Sequence, residues 1–206
     1  MLNAMIRRAV VALLMAAVAT FAVAQDNVAH VARLVDALGV HAGSVIADIG
    51  AGDGQLTIPM AREVGPSGRV YATELAGRPI EELRAAIEKA DVKNVEIIEG
   101  QPLRTNLPAE CCDGILIRYV YHHFADPSAM NGSLREALKP GGRLAIIEFA
   151  PKGPEATSPA DRAAGNTHGV TAETVARELK QAGFEVRTSE QRPDGGVFVA
   201  ARKPVG

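Results

Sequence analysis

The residues best suited to chemistry begin with Asp48-Ile49-Gly50-Ala51-Gly52-Asp53-Gly54-Gln55, directly after a short apolar run. Glycines let a backbone turn sharply and approach a ligand with no Cβ in the way. A dinucleotide fingerprint sets its third glycine one place later, where this chain has Gln55, so the loop suits a ligand without a pyrophosphate better. Glu74 closes the next β-rich run, Tyr71-Ala72-Thr73-Glu74. A carboxylate about twenty residues beyond such a loop can accept hydrogen bonds from both hydroxyls of a ribose.

A second group is Arg118-Tyr119-Val120-Tyr121-His122-His123-Phe124. With a pKa near neutrality, His122 or His123 can take a proton from a reacting group; capping a helix or packing over a ligand is the blander role for one of them. Arg118 can pair with an acidic substrate or fix a neighbouring loop. His168, in Asn166-Thr167-His168-Gly169, can face a pocket or be merely solvated. No metal is expected, because His122 and His123 are adjacent and the sequence supplies no clear third ligand. Cys111 and Cys112 offer neither a disulfide framework nor a zinc set and are expected as packed thiols. Asp113 is expected to start a strand or turn, with a catalytic role the alternative.

These side chains need a scaffold, and the chain alternates helix and strand to supply one. Helical spacing runs from Asn27 to Leu38, from Leu56 to Val64, from Pro79 to Ala90, from Ser128 to Leu138 and from Thr171 to Ala182, with Thr171 a credible N-cap. Strands are expected at Val45–Ile49, Arg69–Thr73, Val95–Glu99, Gly114–Arg118 and Arg143–Phe149. The tail differs: Phe184–Gln191, a Pro193-Asp194-Gly195-Gly196 turn and Val197–Arg202 form a hairpin. The fold class is therefore α/β, a doubly wound, Rossmann-like, seven-stranded, mostly parallel sheet with a C-terminal antiparallel hairpin strand and helices on both faces. Ligands of such sheets sit at the carboxyl ends of the strands. The irregular stretch 150–170 is long enough to suspect a lid or substrate loop.

Composition narrows the partners. With 206 residues, 47% hydrophobic and 22% charged, the chain is ordinary globular material. A net charge of −2, no tryptophan and 4% aromatic residues give no case for nucleic acid. Arg7-Arg8, an apolar stretch and the small-residue ending Ala22-Val23-Ala24 read as a secretory signal over 1–24, cleaved before Gln25. A domain over 25–206 would then be periplasmic or secreted, with no stable membrane insertion; a misassigned start codon would leave it cytoplasmic. A homodimer is left open.

Together these features resemble the class I S-adenosylmethionine-dependent methyltransferases. Val45 through Gly54 is similar to their first motif, Glu74 falls on their ribose-binding acid, and Leu138-Lys139-Pro140-Gly141-Gly142-Arg143-Leu144 is similar to the turn before their fifth strand. The resemblance covers residues 27–203. It implies S-adenosyl-L-methionine as cofactor and methyl transfer to a small-molecule acceptor. Gly50, Gly52 and Gly54, with Asp53 in the same loop, would wrap the methionine part. Asp48 would orient the loop or meet the amino group, Glu74 would hold the ribose, and Gln101 stands where the family often has an acid for the adenine amine. His122 and His123 become the catalytic candidates, and Arg118, Tyr119, Tyr121 and His168 the substrate candidates. A non-catalytic cofactor-binding module of the same fold is the alternative. An NAD-dependent oxidoreductase is disfavoured by Gln55 and by the lack of lysine four places after Tyr71, Tyr119 or Tyr121.

Overall fold

The computed structural model describes residues 27–205, so the expected signal over 1–24 lies outside the described residues. A helix over 27–38, α1, leads into β1 (Val45–Ile49), α2 (Thr57–Val64), β2 (Arg69–Glu74), α3 (Arg78–Ala90) and β3 (Val95–Glu99). Then follow β4 (Cys112–Arg118), α4 (Pro127–Ala137), β5 (Leu138–Phe149), α5 (Ala172–Gln181), β6 (Glu185–Gln191) and β7 (Gly196–Arg202). Among the described residues no helix is long and apolar enough to cross a membrane.

The strands make one sheet in the order β3-β2-β1-β4-β5-β7-β6. The first five are parallel, and β7 runs antiparallel to both β5 and β6. Successive residues of a strand point to opposite faces, which divides the core. Ala47, Ile115, Ile117 and Ile146 pack with Leu134 of α4 and with Val175 and Leu179 of α5. Ile46, Val70, Leu116 and Ala145 pack with Leu34 and Leu38 of α1 and with Met60 and Val64 of α2. Leu83 and Ile87 of α3 close over Ala72. Each such large side chain, fully buried, contributes roughly 1.5–3 kcal/mol, so both faces must be covered before the strands are stable. This is why the central strands read as nearly unbroken apolar runs.

The chain runs outward from β1 to β2 and β3, then returns to β4 on the other side of β1. That reversal leaves a crevice beyond the carboxyl ends of β1 and β4. Two strand starts depart from expectation by more than one residue. β4 begins at Cys112 and β5 at Leu138, because Cys112 pairs with Leu138 before an irregularity restores the register at Gly114 and Arg143. The 139–142 segment is held as strand by its neighbours: the Gly141 amide donates to the Lys203 carbonyl, and the Lys203 amide to the Gly142 carbonyl. Asp113, at the head of β4, accepts from the Val45 amide at 2.8 Å and from Lys139 Nζ at 2.6 Å. Partial burial pushes its carboxyl up, but those partners outweigh it and hold the group below the ordinary range. The role is structural.

Candidate active site

The loop after β1 turns back on its own backbone. Amides of Gly50 and Ala51 both donate to the Thr73 carbonyl at 3.0 Å. Gly50 sits at φ +69°, and a Cβ there would lie 2.5 Å from Val120 Cγ2, so this position admits only glycine. Glu74 reaches back across the mouth of the crevice: its carboxylate accepts from the Gly52 amide and from the Leu75 amide, each at 2.8 Å. Both oxygens keep a further lone pair. Asp48 is buried and accepts from Thr57 Oγ1 at 2.6 Å. Burial pushes its carboxyl up to about 6, against the opposing hydrogen bond from Thr57. Asp53 is exposed and accepts from Gln55 Nε2 at 3.0 Å.

A hollow of about 360 Å³ opens here, lined on one side by Gly50, Thr73, Glu74 and Gln101 and on the other by Val120, His123, Phe124 and Met130. Its size lies within the range of small-molecule sites, and its mix of apolar wall and few polar groups is typical of them. Gln101 is pinned by paired backbone bonds with Arg104, which leaves its side chain exposed at the rim.

The segment after β4 separates residues that are adjacent in sequence. Tyr119, at φ +59°, lies outside the crevice among Phe149 and His30, with ring centroids 5.9 and 6.1 Å away. Tyr121 corrects the expectation of a substrate contact: it is fully buried, donates to Glu178 Oε2 at 3.1 Å and accepts from Asn131 Nδ2 at 2.8 Å. Burial and the Glu178 charge raise its hydroxyl far above the ordinary range. Arg118 donates to Asn27 Oδ1 and, at 3.2 Å, to Gln55 Oε1; it ties α1 to the glycine loop, the loop-fixing role.

His122 is buried, and its Nδ1 lies 3.0 Å from both oxygens of Glu148, whose side chain has no exposure at all. His123 is exposed and lines the crevice; partial burial, with His122 alongside, lowers its imidazole below the ordinary value. His168 completes the group, its Nε2 3.1 Å from His122 Nε2. The sequence offers no third histidine beside this pair; folding brings His168 to it from 46 residues away. The 150–170 stretch delivers it. Buried Arg162 pairs with Glu178 at 2.5 Å, Glu155 accepts from the Thr171 amide, Thr171 Oγ1 and Thr174 Oγ1 at 2.9 Å, and the Val170 amide bonds the Phe149 carbonyl. Gly169, at φ +122°, passes so close to the sheet that a Cβ would lie 2.6 Å from the Phe149 carbonyl oxygen.

Glu148 escaped the sequence reading. A signal was present: it is the one acid in the otherwise apolar run Leu144–Phe149, and a buried charge needs a partner. Cys111 and Cys112 also correct an expectation, being joined to each other by a disulfide. Their Cα atoms are only 3.7 Å apart, as one trans peptide dictates and shorter than disulfides usually span, so spacing rules pass over them.

Comparison with known proteins agrees with this geometry. Residues 47–146 match the family model described as a methyltransferase domain. The ubiquinone/menaquinone biosynthesis C-methyltransferase UbiE of Marinomonas sp. is 31% identical over 113 residues, covering 54% of this chain and 45% of that protein. The chain thus spans about half the length of the curated relatives it matches. A S-adenosylmethionine-dependent methyltransferase from Aquifex aeolicus superposes with a TM-score of 0.71 at 22% identity, covering 84% of this chain and 88% of the other. Phosphoethanolamine N-methyltransferase 2 of Haemonchus contortus, solved with S-adenosyl-L-methionine, superposes with a TM-score of 0.70 at 16% identity, covering 87% and 52%. Residues 47–146 are thus similar to a methyltransferase domain, and they sit in a Rossmann-like sheet with an antiparallel end, the fold of these solved methyltransferases.

Proposed function

We propose that the chain transfers a methyl group from S-adenosyl-L-methionine to a small-molecule acceptor entering from the side of His123 and His168. One observation carries this reading: the crevice has the Glu74 carboxylate and Gly50 of the glycine loop at one end and the His123 imidazole, with His122 and His168 behind it, at the other. When bound, the cofactor supplies a methyl group already activated on a sulfonium. The protein's own work is then placement and exclusion of water. Gly50, Gly52 and Glu74 hold the tail and sugar, Val120, Phe124 and Met130 keep the crevice dry, and the histidine wall assists an acceptor that must shed a proton. Named relatives methylate carbon and nitrogen centres, so the fold does not choose the acceptor atom.

Isothermal titration tests the cofactor half: S-adenosylhomocysteine should bind the purified protein and NAD should not. Heat with NAD and none with S-adenosylhomocysteine would overturn the assignment. A screen of small acceptors with radiolabelled cofactor tests the transfer half; binding with no transfer to any acceptor favours the non-catalytic module. We further propose export, on the Arg7-Arg8 to Ala24 pattern. Fractionation with N-terminal sequencing checks it, a native chain beginning at Gln25 being the expected result.

A further inference from the structure

We propose that His122, His123 and His168 form a binding site for one divalent transition-metal ion of the zinc type, placed where the methyl acceptor docks. The three imidazoles bring one nitrogen each within 4.8 Å of one another. Around a tetrahedral ion with Zn–N distances near 2.0–2.1 Å, ligand nitrogens stand about 3.4 Å apart. His122 Nε2 and His168 Nε2, at 3.1 Å, already have nearly that spacing. Exposed His123 needs to swing inward by roughly 1–1.5 Å at most to match it.

The support behind the cluster is as informative as the cluster. Glu148 takes the Nδ1–H of His122 with both oxygens, and the His122 amide donates to the same carboxylate at 3.2 Å. That arrangement fixes the tautomer and turns the Nε2 lone pair toward His168, the role a carboxylate plays behind a metal-bound histidine. Phe149 packs 5.0 Å from both the His122 and His168 rings and holds the pair in place. A core histidine satisfied by hydrogen bonds alone needs none of this convergence from a second, pinned chain segment.

Three nitrogen ligands leave a tetrahedral ion one open position, the arrangement of catalytic rather than structural zinc. His123 lines the cofactor crevice, and His168 lines an outer hollow with Lys152, Asn166 and Asp194. The open position therefore lies between the two, within reach of a hydroxyl or thiol of an acceptor. An ion there lowers the pKa of the group it holds, and the proton passes to bulk water. The metal site stands on its own residues; only this role rests on the methyl-transfer reading.

Tag-free protein is stripped with a chelator, dialysed against Zn²⁺ or Co²⁺, freed of excess ion and assayed by elemental analysis and visible absorption. We expect about one ion per chain, and Co²⁺ bands typical of four-coordinate sites. His168→Gln and His123→Gln, at exposed positions, should each weaken Zn²⁺ binding about tenfold or more, and Glu148→Gln about 10–100-fold, with circular dichroism confirming folded variants. Failure of the wild-type chain to retain either ion, or retention unchanged in His168→Gln, would overturn the site. S-Adenosylhomocysteine binding to the metal-free wild type is measured separately. Zinc without cofactor binding upholds the site and removes its role; cofactor without zinc overturns the site and leaves the methyl-transfer reading standing.

Discussion

The two ends of the crevice are built differently. The cofactor end is made of backbone from neighbouring turns: Gly50, Ala51 and Gly52 are positioned by Thr73 and Glu74 at the tip of the adjacent strand. The histidine end is made of side chains gathered from 121–123, 148, 162–168 and 178, held by buried hydrogen bonds and one buried ion pair. Loss at the first should register as ligand affinity. Loss at the second should register as stability and as mobility of the 150–170 segment.

The largest effect is expected from Arg162→Ala. Removing one partner of a buried pair leaves Glu178 uncompensated and costs about 3–5 kcal/mol. Chemical denaturation should show that loss, while affinity for S-adenosylhomocysteine stays near wild type; a matching loss of affinity would erase the distinction between the ends. Gly50→Ala attacks the other end. A positive-φ alanine costs roughly 1–2 kcal/mol and its contact with Val120 about as much again, seen as a loss of cofactor affinity in calorimetry. Gly50→Ala with Val120→Ala should recover the second part but not the first.

Asp48 sharpens the contrast through pH. Its folded pKa, about 6, lies above its ordinary value of 3.8, so the folded state holds the proton more tightly than the unfolded state. The associated stability is fully present below pH 4 and is lost as pH rises through 6. The change amounts to about 3 kcal/mol. Asp48→Asn, which keeps an acceptor for Thr57, should remove that fall from the difference between the two stability curves; parallel curves would show that Asp48 is not desolvated. Glu74→Gln is the mildest change. It weakens charge-assisted bonds worth about 1.5–3 kcal/mol, a drop of roughly 10–100-fold in cofactor affinity, with the melting temperature moving little.

Local pattern carried much of the design. The β1 run followed by the glycine loop, Glu74 at the end of β2, the Thr171 cap (accepting from the Thr174 amide at 3.2 Å) and the terminal hairpin are encoded within a few residues of where they act. Periodicity and φ preference are short-range properties, so they can be read along the chain. The seven-stranded order followed because repeated strand–helix units have few ways to pack. Tyr121 and His122 were harder. Neighbours in sequence, they point into different surroundings because a single turn of 3₁₀ helix at Tyr121–His123 directs one to Asn131 and the other to Glu148.

By itself, then, the sequence determined the sheet, the place of its crevice and the backbone cradle, since each depends on residue types at short spacing. Only the tertiary structure decided that His168 meets His122, that Glu148 stands behind His122, and that Tyr121 belongs to the core. Those contacts join residues 10 to 57 positions apart. Their cost in loop entropy is met by burial of surfaces elsewhere in the molecule, so nothing in the immediate neighbourhood of either residue records that they will touch.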